Sequence, residues 1–368
     1  MQQYTHKLGL GKPTFLNDVE PWPEPVTTSS LLDRQVEIFS TYASLPTHAP
    51  QASGLWVMHC WVHDAFPISP RLVLSSPEKR CGKTTVLAVI RGLIPRPLST
   101  DNITGPALFR LIEKWKPTIL IDEADTFLLG KKDLHGLLNS GYRMDSVGVF
   151  RCEGKDHDIR QYSTWAPVAI ALIRDLPDTL ADRAIVISMR RKRTEEKLAR
   201  YRDDHPEFEK FRRMAARWAA DALEKIATID PPVPESLDDR AADNWRPLLA
   251  IADLAGGNWP KMARDAAVAL SETRDSQLIG SRLLAAIKTI FEKSRLDRVS
   301  SQAIVAKLVA DEEGPWAEYR RGKPLTVRDL AKLLRPFGIM PRTIRLADED
   351  TPKGYRREDF DEAFSRYL

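Results

Sequence analysis

The sequence predicts an α/β fold built on a mostly parallel, buried sheet. Two observations carry that expectation. Short continuous apolar runs at 71–75, 118–122, 168–173 and 184–188 alternate with helical stretches, the pattern of strands covered on both faces. The turn that joins the first run to its helix, SPEKRCGK, ends in Gly82-Lys83 and is followed by Thr84-Thr85. Helices are expected at 105–115 and 131–141, and a β-hairpin at 147–164, VGVFRCE and IRQYST flanking a polar tip.

Composition narrows the class. The chain has 368 residues, 43% of them hydrophobic, which suits two or three domains and excludes global disorder. Its three cysteines, Cys60, Cys81 and Cys152, are scattered with no CxxC pair, which argues against a disulfide framework or a zinc site and for a reducing cytoplasm. The opening MQQYTHKLGLGKPTF lacks a signal-peptide pattern, and no apolar run approaches the ~18 residues of a membrane span. The net charge of +4 decides nothing, but its distribution is uneven. Residues 281–368 hold 18 Lys+Arg against 14 Asp+Glu, and residues 190–225 hold 12 against 8. A basic C-terminal block permits contact with an anionic polymer, and a solvated mixed-charge surface is the plainer alternative.

Four segments follow. Residues 1–54 read as an arm rich in Pro, Thr and Ser and a helical extension, with a Ser-capped helix at 29–44. Residues 55–189 hold the α/β core, preceded by a buried helix at 54–64. Residues 190–280 read as helical throughout, apart from Pro-rich punctuation at 231–234. Residues 281–368 read as a separate unit of three helical stretches and two short strands.

The chemistry concentrates at Cys81-Gly82-Lys83-Thr84-Thr85, the back half of G-x-x-x-x-G-K-[ST]. The turn Pro77-Glu78-Lys79-Arg80-Cys81-Gly82 and the helix start would cradle phosphates through backbone N–H groups, with one donor fewer because Pro77 replaces the first Gly and has no N–H. Lys83 would reach the β- and γ-phosphates of ATP, and Thr84 would place a hydroxyl on Mg²⁺. Thirty-nine residues on, the run Ile119-Leu120-Ile121 ends in Asp122-Glu123. Asp122 would hold the metal through water, and Glu123 would act as general base. Asp125 reads as a surface or helix-capping carboxylate.

SSPEKRCGKTT, LIDEADTFL, LNSGYR, STWAPVAIA and LPDTLADRAIVI together resemble an ATPase family of prophages and other mobile elements, described as helicase- or primase-like. The resemblance runs from about residue 30 to the C-terminus, and Pro77 belongs to that family's own pattern. It implies an AAA+ core similar to superfamily III helicases, with residues 190–280 as a lid and a homo-oligomeric, hexameric ring. It further implies that Arg183 in Leu180-Ala181-Asp182-Arg183 is an arginine finger for the neighbouring subunit, against the alternative of a surface pair with Asp182 or Asp178. Arg246 in Asn244-Trp245-Arg246 resembles the sensor-2 arginine that touches the γ-phosphate, against a solvent-exposed helix-start Arg. In superfamily III helicases a hairpin at the place of 147–164 lines a pore and grips single-stranded DNA. Lys155 and His157 would be its donors here, while Asp156 and Asp158 favour a plain solvated turn.

The C-terminal unit reads as a winged helix. Thr326 caps VRDLAKLLRPF, with Leu330, Leu333 and Leu334 inward and Arg328, Lys332 and Arg335 outward, where they would meet DNA phosphates. Arg345, Lys353 and Arg356 flank the wing. A winged helix used for protein contacts is the alternative.

The expected function is an ATP-hydrolysing motor acting on DNA, a replicative helicase or replication initiator of a mobile element, with any primase activity supplied by a partner chain. The alternative is an ATP-dependent assembly switch, a helicase loader or phage-defence ATPase that does not unwind. Glu123 argues against a small-molecule phosphotransferase.

Overall fold

The computed structural model describes residues 18–368 apart from 128–131, 147, 154–156, 174–177, 203–204, 312–313, 321 and 346–350. The chain forms two compact units, residues 1–273 and 274–368.

The first unit begins with α1 (Thr28–Tyr42) and α2 (Ala49–Val62). Then come β1 (Arg71–Ser76), α3 (Lys83–Leu93), β2 (Pro97–Thr100), α4 (Gly105–Trp115), β3 (Thr118–Ile121), α5 (Ala124–Phe127) and α6 (Lys132–Ser140). A hairpin of β4 (Val149–Glu153) and β5 (Asp158–Tyr162) follows, then β6 (Val168–Ile173), α7 (Asp178–Ala181) and β7 (Ala184–Ser188). Helices α8 (Pro206–Ile226), α9 (Asp239–Ala255) and α10 (Trp259–Ser294) come next, and the division between the units falls within α10.

Five strands pair in the order β2-β3-β6-β1-β7, all parallel. All six residues of β1 are buried. Alternation along its backbone sends Leu72 and Leu74 into one core and Val73 into the other. The first core joins the sheet to α1, α2, α3, α8, α9 and the start of α10, through Trp56, Ile90, Trp218 and Trp245. The second joins it to α4, α6 and α7, through Phe109, Leu137 and Leu180. A sheet covered on both faces is why its strands read as unbroken apolar runs.

Two expectations need correction. Residues 190–202 are not helical: RRKRTEEKLARYR carries Leu198 and Tyr201 but no apolar stripe to bury, and regular helix begins at Pro206. Strand β2 was not foreseen because Pro97-Leu98-Ser99-Thr100 is a half-buried edge strand without an apolar run. Part of the N-terminal arm is fixed. Trp22 N–H donates to Arg213 O (2.9 Å), and its ring lies beneath the Arg213 guanidinium and the Lys210 ammonium. Residues 1–17 lie outside the described residues.

The second unit continues with β8 (Arg298–Ser300), α11 (Ser301–Val309), α12 (Val327–Leu334), β9 (Arg342–Thr343), β10 (Lys353–Arg356) and α13 (Asp361–Tyr367). Its antiparallel sheet has the order β8-β10-β9. Strand β8 and helix α13 were not foreseen; Tyr355, Phe360 and Phe364 build its core with Leu330 and Leu334.

One buried group sets a pH dependence. His59 on α2 has no exposed surface, and burial pushes its pKa down to about 3, with His63 adding to the effect. The unfolded chain binds a proton there below its ordinary value of 6.5 while the folded chain does not, so stability falls as pH drops from 6.5 toward 3. Urea unfolding should show about 2 kcal/mol less stability at pH 5 than at pH 7 from this group alone. A His59→Leu chain should show a smaller fall over the same interval.

Candidate functional site

Parallel α/β sheets offer a ligand crevice beyond the carboxyl ends of their strands, where successive connections run in opposite directions. Here β1 is that place. The chain leaves β1 for the far edge, β2, works back through β3 and β6, and then crosses β1 to reach β7. The turn from 77 to 82 caps the carboxyl end of β1.

Two left-handed residues shape this turn, Arg80 (φ +65°) and Gly82 (φ +83°). The chain then enters α3, whose N-terminus has no side-chain cap, unlike α4 and α9, capped by Thr104 and Asp238. Uncapped first-turn N–H groups and the helix dipole suit an anion. Lys83 Nζ donates to Ser76 Oγ (2.5 Å) and lies 3.5 Å from Glu78 O, to which Ser76 Oγ donates at 2.6 Å. The loop thus occupies its own lysine. Burial pushes the Lys83 ammonium below the ordinary lysine range, while Cys81, Asp125 and Asp122 act against that shift. Cys81 is buried with Sγ 3.8 Å from Lys79 O; Lys79, Arg80 and Thr84 are exposed, and Pro77, Glu78 and Thr85 are half-buried. Glu78 is ion-paired with Arg191 at 2.9 Å.

The carboxylates sit one strand away from β1, because β6 lies between β1 and β3. Asp122 Oδ1 accepts from Glu123 N–H (2.9 Å), which fixes the carboxylate at the end of β3. Glu123 is exposed and takes φ +50°. Asp125 corrects the sequence reading. It is half-buried rather than a surface group, it accepts from Ile173 N–H at the end of β6 (3.1 Å), and its charge acts on Lys83. Among the described residues no cluster of three or more His, Cys, Asp or Glu could by itself hold a metal. A hydroxyl at Thr84 and a carboxylate at Asp122 are hard oxygen donors, and Mg²⁺ is held by one or two such groups together with phosphates.

Arg183 stands at the opposite end of the sheet. Arg71 pairs with Ala184, so Arg183 lies at the amino end of β7, about 16 Å from the carboxyl end of β1 by strand rise. Its guanidinium donates to Thr179 O and lies 5.6 Å from the centre of the Tyr142 ring. Tyr142 OH donates to Asn244 Oδ1 (2.8 Å), and Asn244 Nδ2 donates to Asp182 O (2.9 Å). Burial pushes the Tyr142 phenol up to about 12, so it stays a donor. Beneath this cluster the buried Arg71 donates to Ala166 O and Leu138 O, both at 2.7 Å. Burial lowers its pKa to about 9, which leaves it charged at neutral pH.

This geometry separates Arg246 from the loop. On α9 Asn244 turns inward and is anchored at the amino end of the sheet; Arg246 is exposed and paired with Asp230. The structure therefore does not bring Arg246 to Lys83, contrary to the sensor-2 expectation. In the hairpin, β4 and β5 pair with Arg151 opposite Arg160, and His157 is exposed beside the tip. Lys155 lies outside the described residues. Arg151 and Arg160, missed in the sequence, stack on Phe109 and Tyr162, and Glu153 pairs with Arg110. In the second unit Arg328, Lys332, Arg335, Arg345 and Lys353 are exposed, whereas Arg356 is half-buried and paired with Glu358. A cavity of about 270 Å³ lined by Trp61, His63, Asp64, Arg96 and Leu223 contains none of these residues.

Residues 188–367 match the family described as "Protein of unknown function (DUF3631)". A Saccharopolyspora erythraea protein, the uncharacterised 28.9 kDa protein in the xis 5′ region, is 36% identical over 185 residues, 49% of this chain and 68% of that protein. Among solved structures, the A form apo structure of the NrS-1 C-terminal region matches 94% of this chain and 79% of its own, at 11% identity and a TM-score of 0.35. A second A form structure of that region, at 10% identity, gives 0.34. Scores this low do not establish a shared fold.

Tyr142→Phe tests the cluster behind Arg183. It keeps the ring under the guanidinium but leaves the buried Asn244 Oδ1 without its donor. Chemical denaturation should show a loss of about 1–2 kcal/mol.

Proposed function

We propose that this chain, which belongs to the family of the Saccharopolyspora erythraea protein, is an ATP-hydrolysing motor of the AAA+ type that acts on DNA. The observation that carries the reading is the position of Lys83. It follows an uncapped, left-handed turn at the carboxyl end of β1, with the charges of Asp122 and Asp125 acting on it. In this reading Lys83 leaves Ser76 and Glu78 O for the β- and γ-phosphate oxygens, and the first-turn N–H groups of α3 complete the cradle. Thr84 and Asp122 would hold Mg²⁺, which when bound offsets phosphate charge. Glu123, exposed at the strand end, takes the proton of the water that attacks the γ-phosphorus, and ADP leaves.

Arg183 lies too far from its own loop to share in that step. A role in catalysis therefore requires a second subunit whose loop faces it, which is what an arginine finger in a ring does. The Tyr142 ring and Thr179 O would hold the guanidinium ready for that neighbour.

DNA is the polymer that the second unit favours. Helix α12 buries Leu330 and Leu334 and exposes Arg328 and Lys332, with Arg335 just beyond its end. A Thr326–Asp329 capping box fixes its start. Helix α11 packs against α12 and against β8 and β10, and this arrangement supports a winged helix, with phosphate contacts on the basic face. The place of the relative, in the xis 5′ region, suits a mobile-element protein.

The test is steady-state ATP hydrolysis with and without single-stranded DNA. The motor reading expects a rate that DNA raises severalfold and that Lys83→Ala abolishes. Hydrolysis indifferent to DNA would favour an ATP-dependent assembly switch. A rate unchanged by Lys83→Ala would remove the ATPase reading.

A further inference from the structure

Glu78 is an awkward residue for a loop shaped to take phosphate. Its carboxylate is only 28% exposed, and it lies within the turn that would meet a polyphosphate. Unopposed, it would repel one. Arg191 opposes it, with Nη2 2.9 Å from Glu78 Oε2.

The origin of Arg191 is informative. Strand β7 runs parallel to β1, with Ser188 beside Ser75, so it ends where the turn begins. Met189 N–H then donates to Ser75 O (2.7 Å), and a Cβ added at Gly82 would lie 3.8 Å from Met189 Cε. The chain leaving β7 therefore runs along the mouth of the loop. It carries Arg190, Arg191, Lys192 and Arg193, all exposed. Arg191 is the member that reaches into the turn.

We infer that Arg191 is a phosphate ligand of the ATP site, supplied by the same chain that supplies Lys83. This rests on the ATP-binding reading above and deepens it. It also fills the role that Arg246, held at Asp230, does not reach. The guanidinium that pairs with Glu78 through Nη2 also has the fork geometry that suits phosphate oxygens. Glu78 holds Arg191 at the loop before nucleotide arrives, and the arriving phosphates compete with Glu78 for it. The side chain is 62% exposed, so the exchange needs only a rotation about its own bonds. The ion pair is too exposed to matter for folding. A contact to phosphate oxygens should favour ATP over ADP and ADP over AMP.

The experiment is calorimetric titration of the full chain with MgATP, with thermal melting of each variant to verify the fold. Four chains are needed: unaltered, Arg191→Ala, Glu78→Gln, and the double variant. Direct ligation predicts that Arg191→Ala weakens ATP binding about tenfold or more, and that a clear loss persists in the Glu78→Gln background, where no Glu78 charge is left to unmask. It also predicts that Glu78→Gln alone binds at least as tightly as the unaltered chain, because Arg191 is released. A loss that vanishes in the Glu78→Gln background would mean that Arg191 only cancels Glu78, and the inference would fall. Unaltered affinity in Arg191→Ala would also overturn it, with the ATP reading intact. Absence of binding by the unaltered chain would overturn the ATP reading and this inference with it.

Discussion

The first unit depends on the burial of one strand. Both faces of β1 are covered, Leu72 and Leu74 by one core and Val73 by the other. A strand gripped from both sides cannot slide or tilt, so what lies at its two ends is held to strand precision. At its carboxyl end the chain turns through Arg80 and Gly82 into Lys83. At its amino end Arg71 is buried whole and donates to two carbonyls that belong to separate segments, Leu138 at the end of α6 and Ala166 before β6. The two ends differ: one carries the turn proposed to take phosphate, the other braces the cluster that carries Arg183.

That polarity gives a physical account of why a ring would be needed. Lys83 and Arg183 are fixed at opposite ends of adjacent parallel strands, and no side-chain motion closes a gap of about 16 Å across a packed sheet. Chains arranged head to tail would bring the Arg183 end of one to the Lys83 end of the next. The contact is heterologous and closes when the rotation per subunit divides the circle. The cluster of Tyr142, Asn244 and Asp182 also ties the Arg183 end to α9.

Much of this was legible in the sequence, for identifiable reasons. Strands buried on both faces write unbroken apolar runs, and β1, β3, β6 and β7 were all visible that way. The strand–turn–helix arrangement was visible because Gly82 and Lys83 stand between an apolar run and a helical stretch. What was hidden had a physical cause in each case. An edge strand such as β2 needs no apolar run. Asp125 looked like a surface carboxylate because its acceptor role depends on the end of β6, forty-eight residues away. Asn244-Trp245-Arg246 pointed to the wrong residue: helical spacing turns Asn244, Trp245, Leu248 and Leu249 inward and leaves Arg246 outside. The basic run 190–193 read as part of a diffuse charged block, and only the Ser75–Ser188 register shows that it passes the loop.

The central claim is that ATP phosphates occupy the turn after β1. A crystal structure with a non-hydrolysable ATP analogue and Mg²⁺ tests it most directly. The account predicts phosphate oxygens on the N–H groups of the first turn of α3, with Lys83 Nζ withdrawn from Ser76 Oγ and Glu78 O to meet them. Analogue bound elsewhere, or Lys83 still held by Ser76 and Glu78 at saturating nucleotide, would contradict it.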